Sequence, residues 1–124
     1  MRILITGSRH WTDYQTMSLA LRGIYDRNRT AMLVHGNCAG ADLMANQIWR
    51  QPGGQVDVFD ADSEHLGRAA GPRRNQEMVD SCNPSDICLA FPLADSRGTR
   101  DCMRRAEAAG IPVTNYGDQV VTQS

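Results

Sequence analysis

The sequence predicts an α/β fold, a three-layer sandwich in which helices cover both faces of a parallel five-stranded sheet. Two observations carry this prediction. Five short β-like runs, RILIT (2–6), AMLVH (31–35), VDVFD (56–60), DICLAF (86–91) and IPVTNY (111–116), recur along the chain. Most stretches between them place apolar residues at helical spacing, and strands that alternate with helices pair in parallel because each helix carries the chain back to the same end of the sheet.

The elements follow in order. After the first run, Thr12 and Gln15 have the spacing of a capping box, and Met17, Ala20, Leu21 and Ile24 form an i, i+3, i+4, i+7 stripe. Ala41, Met44, Ala45 and Ile48 repeat that spacing in a second helix, which Pro52-Gly53-Gly54 ends. A third helix carries Asn75, Met78, Val79 and Cys82, starts near Asn75 and stops at Asn83-Pro84; a fourth carries Thr99, Cys102, Met103 and Ala106. Pro112 cannot donate a ladder hydrogen bond, so the last strand starts late or lies at an edge, and the first strand is expected at the centre. Residues 1–117 read as one domain and 118–124 as a polar tail.

Composition excludes several classes of chemistry. The thirteen basic residues are all Arg, so a P-loop lysine, a Schiff-base lysine and a lysine general base are ruled out. The four cysteines never fall as Cys-x-x-Cys and read as free thiols, with no metal and no cofactor expected. A net charge of -1 supplies no global attraction for nucleic acid or an anionic membrane, so any anion site must be local. The apolar runs are strand-sized, and the chain opens on Met1-Arg-Ile-Leu-Ile-Thr rather than on a signal peptide; a cytoplasmic protein with no membrane partner is expected.

In an open parallel sheet, ligands bind beyond the carboxyl ends of the strands, where the strand order reverses. That rule singles out Thr6–Trp11, His35–Asp42, Asp60–Asn75 and Pro92–Thr99. Glycines at these turns let backbone N–H groups approach a phosphate at a helix N-terminus. No Gly-x-Gly-x-x-Gly follows the first strand, which argues against an ordinary nicotinamide or flavin dehydrogenase.

Taken in order on these loops, TGSRHW, VHGNCAGAD, GRAAGPRRNQEMV and FPLADSRGTRDCMRRAEAAGIPV resemble the YspA-related branch of the SLOG superfamily, from Met1 to about Val113. That branch is similar to the LOG ("Lonely Guy") phosphoribohydrolases and to the Rossmann-like core of the DNA-processing protein DprA. The resemblance implies a Rossmann-like sandwich that binds a nucleotide or nucleotide-derived ligand, often as a sensor linked to phage, plasmid or defence systems. It places Gly7, Ser8 and Arg9 on the first loop and Gly36, Gly40 and Asp42 on the second. It adds Arg73, Arg74 and Asn75 from the third helix, and Gly98 and Thr99 from the last loop. Related sequences tend to carry Pro-Gly-Gly-x-Gly-Thr where this chain has Pro92-Leu-Ala-Asp-Ser-Arg-Gly98-Thr99, two residues longer and without the early glycines. The hydrolytic LOG enzymes have Glu three residues after the Thr; here that residue is Cys102. Asp101 is one residue away, a rotation of about 100° on a helix, and Asp95 lies in the loop itself.

Several of these residues have two readings. Arg9 is either a phosphate clamp or a solvated loop charge, and one of Arg73 and Arg74 faces ligand while the other faces solvent. Asp42 either caps the second helix or receives a ribose hydroxyl. His35 is read as structural, His65 as able to reach the pocket from its loop, and Trp11 as a cover for the first helix. Arg97, Arg100 and Arg104 share a broad face that is a solvated surface, a second anion site or a phosphate-tracking strip.

The leading functional expectation is a homo-oligomer, most simply a dimer, that binds or senses a nucleotide-like small molecule. The alternatives are a LOG-like nucleoside monophosphate phosphoribohydrolase and a DprA-like nucleic-acid module. The missing Glu at 102 weighs against the first alternative, and the net charge against the second.

Overall fold

Alternating side chains on the first strand set the layers of the molecule. In the computed structural model, which describes residues 1–94 and 96–117, β1 (Arg2–Gly7) directs Ile3 and Ile5 into one apolar cluster and Leu4 into another. All three are fully buried, and each contributes about 1.5–3 kcal/mol relative to exposure. Helices α1 (Tyr14–Arg27) and α2 (Ala41–Arg50) cover the first cluster through Met17, Leu21, Ala45 and Trp49. After the one-turn α3 (Ser63–Leu66), helices α4 (Ala70–Asp80) and α5 (Arg97–Ala108) cover the second through Met78, Val79, Cys102 and Ala106.

The sheet is parallel throughout, in the order β3-β2-β1-β4-β5, with β2 at Met32–His35, β3 at Gln55–Val58, β4 at Ile87–Phe91 and β5 at Val113–Asn115. The chain winds outward from β1 to β3, then crosses to β4 on the other side of β1. Loops leaving β1 and β4 therefore run to opposite faces, which opens a crevice at the carboxyl ends of these paired strands. The central first strand and the edge position of the last agree with the sequence. Pro112 contributes only its carbonyl, which accepts from Cys88 N at 2.8 Å just before β5 begins.

Two boundaries differ from expectation. Asp13, not Thr12, caps α1: its carboxylate accepts from Thr16 N at 3.1 Å and Thr16 Oγ1 at 2.6 Å, so one side chain satisfies both a first-turn N–H and a neighbouring hydroxyl. Helix α4 begins at Ala70, well before Asn75, because Pro72 falls in its first turn, where a missing N–H removes no helical bond. Asp95, expected to be a loop carboxylate, and the 118–124 tail lie outside the described residues.

Candidate functional site

A cleft of about 470 Å³ opens at the carboxyl ends of β1 and β4, lined from the β1 loop, the start of α2, α4 and the start of α5. Its shape begins with close approach between loops. A Cβ on Gly7 would fall onto that of Ala41, so the glycine lets α2 sit directly against the end of β1. Ser8 then acts as a junction: its N–H donates to Phe91 O at 3.0 Å, its carbonyl accepts from Ala41 N at 3.1 Å, and its hydroxyl accepts from His10 N at 3.0 Å. This leaves the exposed Arg9 and His10 at the cleft wall.

The second loop is clamped from within by Asp42. Its Oδ2 accepts from Gly36 N at 3.1 Å and Cys38 N at 3.2 Å, closing the β2–α2 turn rather than capping the first-turn donors of α2. Oδ1 is buried without a hydrogen-bond partner. Burial pushes the Asp42 carboxyl above the ordinary aspartate range, against the two N–H donors and the nearby Arg74 charge. His35 is confirmed as structural: Nδ1 accepts from Asn37 N at 2.9 Å, which leaves Nε2 to donate to Asn46 Oδ1 at 3.0 Å.

Helix α4 resolves the Arg pair. Arg74 reaches the cleft, where Nη1 donates to Gly36 O at 2.7 Å and Nε to Asn75 Oδ1 at 3.1 Å. Gly36 therefore lies behind the cleft wall, as the surface on which this guanidinium rests; a Cβ there would collide with it. Arg73 points away, 4.0 Å from Glu77, with its side chain 67% exposed. Arg74→Ala is thus expected to destabilise the protein by about 1–2 kcal/mol by freeing the Gly36 carbonyl and Asn75, while Arg73→Ala stays within about 0.5 kcal/mol. Urea denaturation of the two variants checks this, and equal losses would contradict the assignment. Buried Asn75 lines the cleft and ties α4 to α5, donating to Gly98 O at 3.2 Å and Asp101 Oδ2 at 3.1 Å.

The start of α5 completes the cleft. Its N-cap, Ser96, makes no side-chain cap bond, because its hydroxyl instead accepts from Leu93 N at 2.8 Å. Among the described residues no side chain caps the first-turn N–H groups of Arg97, Gly98 and Thr99, which have the positive end of the helix dipole behind them. A Cβ at Gly98 would meet nothing within 4 Å. Arg9 and Arg97 both line the cleft, and neither has an ion-pair partner among the described residues.

The residues beside Thr99 point elsewhere. Cys102 is fully buried between α5 and the sheet, and burial pushes its thiol up to about 12 although Thr6 hydrogen-bonds it. Asp101 is held by Arg105 at 2.8 Å and Asn75 at 3.1 Å, and these contacts outweigh partial burial to keep its carboxyl below the ordinary range. Among the described residues, Asp42 is therefore the one carboxylate in the cleft lining.

The structure thus brings Gly7, Ser8, Arg9, Asp42, Arg74, Asn75, Gly98 and Thr99 to one cleft, with Gly36 and Gly40 packed behind it and Arg73 outside it. His65, 78% exposed and paired with Asp62, does not reach it, while Trp11 packs edge-on to Phe91 in the core. Reasoning from sequence left His10, Cys38 and Ser96 out of the site and read Arg97 only as part of a basic face. Their positions on the same switch-point loops were the available signal. Among the described residues, no helix is long and apolar enough to cross a membrane.

The first two loops of this cleft fall within the part of the chain that a known family profile matches. The profile of the YspA, cpYpsA-related SLOG family matches residues 1–65 of the 124, taking in the β1 loop and the Asp42 clamp. The chain is also 48% identical over 124 residues to the Gene 61 protein of Mycobacterium phage D29, covering 95% of this chain and 98% of that protein. With its parallel sheet, its switch-point cleft and a profile match over more than half its length, this chain belongs to the YspA, cpYpsA-related SLOG family.

Proposed function

We propose that the cleft binds a phosphorylated, nucleotide-type ligand and does not cleave it. Membership of the SLOG family associates the chain with nucleotide-related ligands in general. The observation that carries the finer reading is the open space over Gly98, at a helix N-terminus whose N-cap side chain makes no cap bond, flanked by Arg9 and Arg97, which have no ion-pair partner among the described residues. Converging N–H donors and guanidiniums hold a phosphate well, and an opening bounded by glycine lets it approach the backbone.

Non-cleavage follows from the side chains beside the anion site. N-glycosidic hydrolysis needs a carboxylate to stabilise positive charge on the sugar or to activate water. The matching position is a thiol locked in the core, and Asp101 is committed to Arg105 and Asn75. Incubation with nucleoside monophosphates is expected to leave them intact, with a matched ligand at 100 times its Kd stabilising the fold by about 2.7 kcal/mol. Chromatography for free base and thermal melting are the measurements; sustained release of base would move the protein into the enzyme class.

A further inference from the structure

We propose that the groove between the starts of α4 and α5 is a second anion site, and that the ligand of this chain carries two phosphate groups held apart by a spacer, one in the cleft and one beside Arg104. The inference rests on the phosphate site proposed above and adds a site outside it.

The groove, about 500 Å³ in volume, is bounded by Gly71 and Pro72 on α4 and by Arg97, Arg100 and Arg104 on α5. It adjoins the cleft, since Arg74, Asn75, Arg97 and Gly98 border both. Both banks are open: a Cβ on Gly71 or on Gly98 would meet nothing within 4 Å. A phosphate on the first-turn N–H groups of α5 thus lies at the mouth of the groove, and the rest of its molecule has room to run along it.

The charges on α5 oppose the electrostatics of the helix itself. Arg97 and Arg100 stand in its first turn, where the helix dipole disfavours cations, and no acidic residue stands there with them. Arg97 to Arg100 is an i, i+3 spacing and Arg100 to Arg104 an i, i+4 spacing, so like charges repel along one side of the helix. On α4, by contrast, the exposed Arg73 has Glu77 at i, i+4. The described lining of the groove carries four arginines, Arg74, Arg97, Arg100 and Arg104, against one carboxylate, Asp101. That carboxylate is already shared: Oδ2 accepts from Arg105 Nε at 2.8 Å and from Asn75 Nδ2 at 3.1 Å, and Oδ1 lies 3.9 Å from Arg104. Arg100 also donates to Leu93 O at 3.3 Å, a neutral acceptor that leaves its charge in place. An anion in the groove relieves both the dipole mismatch and the repulsion.

The donors and their spacing define the ligand. Guanidiniums bind phosphate oxygens through pairs of parallel N–H bonds, so a second phosphate suits these residues. Seven residues separate Arg97 from Arg104, about 10 Å of helix. Two adjacent phosphates span too little of that length, whereas two phosphates joined through a short chain of carbons reach from the first turn of α5 to Arg104.

The test titrates the isotope-labelled full chain with butyl phosphate and with butane-1,4-diol bisphosphate at low salt, followed by NMR. The wild type is expected to bind the bisphosphate about tenfold tighter, because its second end enters the groove at high effective concentration. The backbone amides of Gly98 and Thr99 should shift with both probes, and the Arg104 Nε–H with the bisphosphate alone. In Arg104→Gln the advantage should fall to about twofold, the statistical factor for a probe with two equivalent ends. Arg73→Gln removes an exposed charge outside both sites and should keep the tenfold advantage; the two arginines are 70% and 67% exposed, so both variants should fold. The proposal is overturned if the wild type shows only the statistical advantage, or if Arg73→Gln lowers the advantage as much as Arg104→Gln does. In either case, shifts of Gly98 and Thr99 with butyl phosphate leave the cleft phosphate site standing. If butyl phosphate moves neither amide, both readings fall together.

Discussion

Gly98→Val is expected to abolish binding of a phosphorylated ligand and leave the fold intact. The two halves of this expectation have separate physical grounds. Nothing lies within 4 Å of a Cβ built on Gly98, so the branch point of the added side chain has room, and within a helix valine is no worse than glycine in intrinsic preference. Melting should stay within about 0.5 kcal/mol of the wild type. The space the side chain enters, however, is the space over the uncapped start of α5, lined by Arg97, Gly98 and Thr99. A branched group there holds a phosphate away from the N–H donors. Loss of two hydrogen bonds to a charged group, at about 1.5–3 kcal/mol each, weakens binding by more than about a hundredfold. Titration of the folded variant decides the point: wild-type affinity in Gly98→Val would show that phosphate does not sit on α5.

How much of this was legible in the sequence depends on how local the determining physics is. The parallel sheet was recoverable because buried parallel strands read as apolar runs, and the edge place of the last strand because Pro112 marks a strand that needs no ladder donor of its own. The cleft was recoverable because glycines at strand ends and the switch-point rule act on neighbouring residues. Helix starts were less so: Thr12 and Asp13 are both good caps, and only the backbone at Asp13 shows which one takes the Thr16 donors. Placing the start of α4 near Asn75 hid the phase of the helix, and with it which arginine faces in. The turn-closing role of Asp42 was not read from the sequence. It depends on the N–H groups of Gly36 and Cys38 turning onto one of its oxygens and on α2 packing against the end of β1, a tertiary arrangement with no trace in the spacing of residues.

Gly40→Ala is expected to be the most destabilising single-methyl change in the cleft framework, and Gly67→Ala supplies its control. Both glycines cap a helix in nearly the same backbone region, Gly40 at φ 79 and ψ -119 and Gly67 at φ 56 and ψ -126. A side chain at either position costs about 1–3 kcal/mol in backbone strain. The difference lies in what the methyl meets. At Gly67 it meets nothing within 4 Å, whereas at Gly40 it would fall onto the backbone of Ser8 and Arg9, which cannot swing aside as a long side chain could. Overpacking of this kind adds about 1–3 kcal/mol, so Gly40→Ala should lose about 4 kcal/mol and Gly67→Ala about 2. In urea titrations with unchanged slope, the gap between the two variants measures the clash alone. Pushing on Ser8 and Arg9 also moves the β1 wall of the cleft, so the Gly40 variant should lose affinity for a phosphorylated ligand under conditions where it remains folded. Gly67, outside the cleft lining, should not. Equal destabilisation by the two substitutions would mean that the β1 and β2 loops are not packed as tightly as the close approach of Gly40 to Ser8 and Arg9 requires.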